Sequence, residues 1–292
     1  MTRAKKQARA VAAGFIVFHA ACLLAFYTGV STAAIVVAIV MYLIRGLGVT
    51  AGFHRYFAHK AFRTSRPFQF VLAFAGSLAT QGGLLWWVSH HRDHHRYTES
   101  DRDMHSPRAH GLWHAHMGWM MTPECFSTSG ANVKDLHKYP ELKALQRHYV
   151  WIVFGQAAFL FVLGAVLNML WPQLGTSGLQ MLVWGYFIST VVLWHSTFMV
   201  NSVCHRWGRS PYDARDDSTN NWLVVIMALG EGWHNNHHKF AGSARHGLKW
   251  WQFDLTWIVL RGLEKLGVVS DLKVPRPAQI AATAAAGAPA SQ

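Results

Sequence analysis

Apolar residues run almost unbroken through 10–44 and again through 148–205, and no Lys, Arg, Asp or Glu interrupts either stretch. At about 20 apolar residues per bilayer crossing, each stretch holds two helices. Gly29 and Ser31 break the first pair, and Trp171, Pro172, Gly175 and Gly178 break the second. This punctuation predicts membrane spans near 10–30, 32–52, 149–171 and 178–203. Between the pairs the chain is polar and rich in His and Arg, apart from an apolar segment at 68–88. A full crossing there would put the histidines of 54–59 and 91–95 on opposite faces of the membrane, so a buried or re-entrant helix is expected. Residues 249–266 mix Trp with Lys and Asp, which suits a helix lying in the membrane interface or an amphipathic helix packed on the polar domain. The Ala-rich segment 276–292 reads as a disordered tail. The expected fold is therefore an all-α integral membrane protein with a single domain over 1–275. Four transmembrane helices carry a cytoplasmic helical cap made of 53–148 and 204–275.

Composition agrees with this pattern, since 51% hydrophobic and only 14% charged residues, with 14 Trp, are unusual for a soluble chain. A net charge of +13 could signal nucleic acid, but its placement argues for a membrane. Apart from Arg45, every Lys and Arg lies in 1–9, 55–147 or 206–292, and the two tight turns carry none. Positive charge stays in the cytoplasm, which puts the N-terminus, the central polar segment and the C-terminal third on that side. The expected location is the inner (plasma) membrane of a bacterium, with the site facing the cytoplasm and no nucleic-acid partner. Arg3, Lys5, Lys6 and Arg9 before an apolar run resemble a signal peptide, but the run is long and a second span follows, so an uncleaved first helix is expected. Cys22, Cys125 and Cys204 form no C-x-x-C pair and indicate neither a disulfide framework nor a thiolate metal site.

Nine of the 19 histidines fall in four short groups. They are His54 and His59; His91, His94 and His95; His205; and His234, His237 and His238. The second and fourth groups share the spacing i, i+3, i+4, which on a helix puts the imidazoles on one face. Asn201 and His205 are one turn apart. His54 and His59, five apart, would diverge on a regular helix and are expected where the second span ends and its backbone loosens. Each group alone reads most simply as a solvated helix face. Together, all four sit at or beyond the cytoplasmic ends of spans, so the topology delivers nine imidazoles to one side.

Imidazole suits zinc, copper, iron and nickel, so ligand number must identify the metal. A structural zinc takes four ligands and a catalytic zinc three plus water, fewer than nine. Two metals with four or five nitrogens each account for the whole set. An all-nitrogen shell with an open position suits a redox metal that binds dioxygen, which points to two iron ions, with zinc as runner-up and as a possible replacement in purified protein.

At these residues the chain resembles the membrane-bound acyl-CoA and acyl-lipid desaturases of the delta-9 type, over about residues 35–265. The likeness rests on the boxes His-x4-His, His-x2-His-His and His-x2-His-His, on Asn-x3-His at 201–205, and on Gly-Glu-Gly-Trp-His-Asn before the last box. Front-end desaturases begin their third box with Gln where this chain has His234, and membrane alkane hydroxylases carry a Glu-containing first box. The resemblance implies that one iron takes His54, His59, His91, His95 and His237. It implies that the other takes His94, His205, His234 and His238, with Asn201 holding a water on it. It also implies four spans under a cytoplasmic cap, and a reaction that uses dioxygen and two electrons to turn two neighbouring methylenes into a cis double bond.

Breaking an unactivated C–H bond is beyond any side-chain acid or base, so the metals must carry the chemistry and the protein must position the chain. Carboxylates are expected to orient the outer imidazole N–H groups, with Asp93, Glu99, Asp101, Asp103, Asp216, Asp217 and Glu231 as candidates. Arg55, Arg92, Arg96, Arg102 and Arg108 could hold a phosphate-bearing head group by bidentate pairing. Ser89, Pro123 and Glu124 stand where some acyl-CoA-using relatives carry basic residues, leaving the carrier open between acyl-CoA and acyl-lipid. His19 and His195 lie inside spans and are expected to be neutral and hydrogen-bonded between helices. No His-Pro-Gly-Gly string occurs, so electrons are expected from a separate ferredoxin-like or cytochrome-like protein with its reductase, steered by the basic face. The competing readings are a hydroxylase on the same scaffold, a zinc-handling membrane protein and, last, a membrane-anchored nucleic-acid binder.

Overall fold

A computed structural model describes residues 1–126 and 130–286. Among the described residues four helices are long and apolar enough to cross a membrane: Arg3–Thr28, Thr32–Ala58, Tyr149–Leu170 and Gly178–His205. They match the predicted spans in number and order. The second and fourth extend beyond the predicted ends, because each runs on through the residues that carry histidines. The chain divides into two units, one of Met1–Val49, Ala73–Trp87 and Met120–His195, the other of Thr50–Leu72, Val88–Trp119 and Ser196–Gln292.

In the first unit the turn between the first two spans is built from its own residues. Gly29 adopts φ +64, and Ser31 caps the second helix by accepting from the Ala34 amide while donating to Gln180 Oε1 at 2.6 Å. Gln180 Nε2 donates to the Thr28 carbonyl, tying this turn to the fourth span. Gly164 lets the third and fourth spans approach closely, since a Cβ there would lie 2.4 Å from the Ser177 carbonyl. Arg45 sits well inside the second span, fully buried, and donates to Gln156 Oε1 (2.8 Å), Ser189 Oγ (2.8 Å), Thr190 Oγ1 (2.7 Å) and the Gly185 carbonyl (3.1 Å). It thereby links three spans through neutral acceptors. His19 and His195 meet through their Nε2 atoms at 3.0 Å, and His19 Nδ1 donates to the Phe15 carbonyl at 2.7 Å, the interhelical pairing expected of them.

The apolar segment 68–88 is not one helix. It divides between Arg66–Ser77 and Leu84–Tyr97, with Thr80 at φ 58 and Gly82 at φ 97 in the break. Tyr149 Oη and Gln146 Oε1 accept the freed amides of Gly82 and Leu85, both at 2.9 Å. Twelve residues of helix fall well short of a crossing.

The second unit consists of short helices and turns, with one two-residue antiparallel pair, Arg63–Thr64 against Val269–Ser270, as its named strands. In 249–266 the helical part is Leu255–Lys265, capped by Asp254, whose carboxylate accepts from the Trp257 amide. The tail expected to be disordered over 276–292 is helical over Pro277–Ala286, where Pro opens a run of strong helix formers. Residues 287–292 lie outside the described residues.

Candidate metal centre

All four histidine groups belong to the second unit. His54 and His59 lie at the end of the second span, where the helix widens to i→i+5 bonding over Gly48–Ala58. The His59 amide donates to the His54 carbonyl at 3.1 Å. One π-helical turn thus places residues five apart on the same side, which an α-helix would not do. Arg92 fixes this terminus by donating to the Phe57 carbonyl at 2.7 Å and to the Ala58 carbonyl at 3.3 Å. It is the neighbour of His91 on helix Leu84–Tyr97, so the first two boxes are bolted together directly.

The last box is the short helix His234–Lys239, and the asparagines between its histidines hold it in place. Asn235 exchanges hydrogen bonds with the Tyr212 backbone, both at 2.9 Å, while Asn236 donates to the His246 carbonyl at 2.9 Å. Asn220 Oδ1 accepts from the Asn235 amide and its Nδ2 donates to Asn236 Oδ1. Gly232 passes so close to helix Trp222–Met227 that a Cβ would lie 2.2 Å from the Val225 nitrogen. His205 closes the fourth span, and Asn201 lies one turn before it, half-buried.

The nine imidazoles gather in two groups within each of which all offered nitrogens lie within 4.8 Å of one another: His54, His59, His91, His95 and His237; and His94, His205, His234 and His238. The Nε2–Nε2 distances are 3.0 Å for His54–His237, 2.7 Å for His59–His91, 2.9 Å for His95–His237, 3.3 Å for His94–His238 and 2.9 Å for His205–His234.

Carboxylates accept from the opposite side of several of these rings. Glu231 accepts from His54 Nδ1 (2.6 Å), Asp103 from His94 (2.9 Å), Glu99 from His205 (2.7 Å) and Asp216 from His238 (2.7 Å). A neutral imidazole that donates through Nδ1 presents a lone pair at Nε2. His94 and His238 both donate in this way, so their facing Nε2 atoms bring two lone pairs together, which is repulsive unless a cation lies between them. The donor set therefore fits metal ions.

Burial, reinforced by the neighbouring imidazoles, lowers His59, His91, His95, His234, His237 and His238 well below the ordinary histidine value and keeps them in the neutral, ligating form. Burial alone would raise the Asp103 and Glu231 carboxyls. His94 and His105 beside Asp103, and His54, His246 and Arg55 beside Glu231, instead hold them well below the usual carboxylate range.

Of the seven acidic candidates, Glu99, Asp103, Asp216 and Glu231 meet histidines of the two groups. Asp217 instead lies 3.6 Å from Arg108 at the surface. Arg55 corrects an expectation. It is fully buried, donating to Glu231 and Asp254 at 3.0 Å each and to the Ala244 carbonyl at 2.7 Å, and so cannot hold a head group. Its role is to fix the carboxylate that orients His54. Arg92, bound to backbone carbonyls, is committed as well. Two further buried histidines, packed directly against rings of the two groups, escaped the sequence reading. His246 lies 4.6 Å from the His237 ring and 5.3 Å from that of His54, and His105 lies 4.4 Å from that of His94. His246 stands alone in sequence, and His105 shares no spacing with the boxes. Only the acidic neighbour Asp103 hinted at the latter.

The family model described as fatty acid desaturase matches residues 30–269. Among curated proteins, the palmitoyl-monogalactosyldiacylglycerol delta-7 desaturase of Arabidopsis thaliana is 41% identical over 84% of this chain and 64% of its own length. The icosanoyl-CoA 5-desaturase of Limnanthes douglasii is 41% identical over 80% of this chain and 63% of its own. The sn-1 stearoyl-lipid 9-desaturase of Anabaena variabilis is 40% identical over 89% and 92%. This chain thus spans just under two thirds of the first two relatives and nearly all of the third. With a match over most of its length and histidines gathered as its motifs require, the chain belongs to the fatty acid desaturase family.

Proposed function

We propose that this protein is an O2-dependent fatty acyl desaturase that introduces a cis double bond, at the delta-9 position, into an acyl chain carried on coenzyme A or lipid. The observation that carries the reading is the convergence of nine imidazole nitrogens in two groups, with the outer nitrogens of His54, His94, His205 and His238 held by buried carboxylates. His54, His59, His91, His95 and His237 would hold one iron, and His94, His205, His234 and His238 the other, with Asn201 beside the second. Bound there, the pair of irons would supply the dioxygen activation and C–H cleavage that no side chain can perform.

The chain's own part is preorganisation. Burial favours the neutral form of His59, His91, His95, His234, His237 and His238, and Glu231, Asp103, Glu99 and Asp216 lock the Nδ1–H tautomer of the rings they face and aim each Nε2 inward. The reaction consumes dioxygen, two electrons and two protons, and two hydrogens leave neighbouring methylenes as water. The electrons come from a separate donor protein of ferredoxin or cytochrome type. The positive-inside pattern supports a site on the cytoplasmic face. The relatives' names span the delta-5, delta-7 and delta-9 positions and both carriers at similar identity, so position is the finer part of this reading.

The test is expression in a host of known lipid profile, followed by mass spectrometry of its acyl chains. The expected result is a cis monoene lighter than its precursor by two hydrogens, absent from the empty-vector control and from His94→Ala. A hydroxylated acyl chain instead would establish a hydroxylase, and an unchanged profile with full iron loading would reject the reading.

A further inference from the structure

The second unit carries an apolar surface that its metal centre does not use. Helix Trp222–Met227 turns Val224 and Val225 inward and leaves Trp222, Leu223 and Ile226 exposed. The turn before helix Leu255–Lys265 exposes Trp251, Phe253 and above all Trp250, at 91%. The two elements form one surface. The rings of Trp222 and Trp251 stack with centroids 5.9 Å apart, and both pack against the buried Trp233, at 4.7 and 5.9 Å.

Charge around this surface is mainly basic. Between 221 and 265 Glu231 and Asp254 are buried and the partly exposed Glu264 pairs with Arg261, while Lys249 and Lys265 are exposed and Lys239 and Arg245 partly so. Lys249 Nζ lies 5.8 Å from the Trp251 ring centroid. Contiguous large apolar side chains seldom face water without a partner. Trp and Phe rimmed by Lys and Arg are the composition of an interfacial anchor, and a rim with an excess of basic residues complements anionic head groups. Four apolar helices already commit this chain to a bilayer, so a lipid surface is the occupant at hand.

We propose that Trp222, Leu223, Ile226, Trp250, Trp251 and Phe253 form an in-plane anchor that docks on the phosphate-bearing surface of an anionic bilayer. The anchor is built into the support of the ligand helix. The Asn221 amide donates to the Gly232 carbonyl at 2.9 Å, Trp233 Nε1 donates to the Phe253 carbonyl at 2.7 Å, and the His237 amide donates to the Trp233 carbonyl at 3.0 Å. A lipid surface held there lies three short links from His237. The inference does not depend on which oxidation the site performs.

The test uses the full chain with Cys22→Ala, whose remaining Cys125 and Cys204 are fully buried. Ile226→Cys or, separately, Leu223→Cys is labelled with an environment-sensitive fluorophore. Arg108→Cys, with a side chain 67% exposed on the same unit, is the control. The proteins are placed in nanodiscs of phosphatidylcholine with or without phosphatidylglycerol. The expected result is blue-shifted emission at 226 and 223, quenched by spin-labelled lipid and protected from aqueous iodide, with the reverse at 108. Lys249→Glu with Arg261→Glu should lose lipid quenching in the anionic discs and keep it in the neutral ones. Quenching by iodide at 226 and 223 would mean that the patch faces water. Quenching by neither agent would mean that protein covers it. Either result overturns the proposal, whatever lipid product the enzyme makes.

Discussion

Asp216 offers the sharpest test of how the outer carboxylates act, because both of its oxygens are spoken for. Oδ2 accepts from His238 Nδ1 at 2.7 Å, and Oδ1 accepts from the Ser218 amide at 2.9 Å. Asn is the same size but offers one oxygen and one NH2 group. In either orientation of Asp216→Asn, a buried N–H donor, on His238 or on Ser218, faces another donor. The lost charge-assisted bond or stranded donor costs about 1–3 kcal/mol. Because His238 aims its Nε2 into the four-histidine group, most of that cost should appear as weaker metal binding, about 10- to 100-fold. The neighbouring Asp217 has a side chain 46% exposed and lies 3.6 Å from Arg108, so Asp217→Asn should change little. The assay is titration of purified protein with Fe2+ against a competing chelator, with circular dichroism to verify the fold. Unchanged affinity in Asp216→Asn, or an equal loss in Asp217→Asn, would refute the claim that this carboxylate orients His238.

Acid should release the metal early. Six of the clustered histidines, His59, His91, His95, His234, His237 and His238, are held well below 6.5 in the fold, so below that pH the unfolded chain binds more protons than the native one, and stability falls as pH drops. Iron retained after gel filtration should decline between pH 7 and 5, before Asp103 and Glu231, whose carboxyls are depressed, take up protons. Arg45→Ala removes four hydrogen bonds within the spans. At an average near 0.6 kcal/mol each in a bilayer, the loss is about 2 kcal/mol. Reversible unfolding in bicelles should show it, with iron per folded molecule unchanged. Gly232→Ala drives a Cβ to 2.2 Å from the Val225 nitrogen, whereas Gly242→Ala meets nothing within 4 Å. The first should yield protein without bound iron, and the second should match the wild type in metal analysis.

The spans and the clustering of the histidines were legible because both rest on local periodicity. Charge-free runs mark crossings, and i, i+3, i+4 spacing needs only a helix to converge. The five-residue gap between His54 and His59 was legible as a demand on the backbone, and the π-helical end of the second span meets it. The supporting groups were less so. Proximity in sequence gives distance but not direction: Asp93 precedes His94 on the same helix, so its side chain points about a quarter-turn away from the ligand face. Arg55 read as a surface cation because the carboxylates that bury it, Glu231 and Asp254, lie 176 and 199 residues away in the chain. The same separation hid His246, which reaches the site only through folding.

Charge balance ties these pieces together. Glu99, Asp103, Asp216 and Glu231 have side chains no more than 8% exposed, and each faces the outer nitrogen of an imidazole. Arg55 is matched by Asp254, so these four carboxylates bring net negative charge to the surroundings of the imidazoles. An uncompensated buried ion costs several kcal/mol. Two divalent cations would cancel all four, whereas a single ion would leave half of them. Carboxylate partners raise the basicity of the imidazoles they hold, so the same four groups that bring negative charge also strengthen the nitrogens that would face the ions.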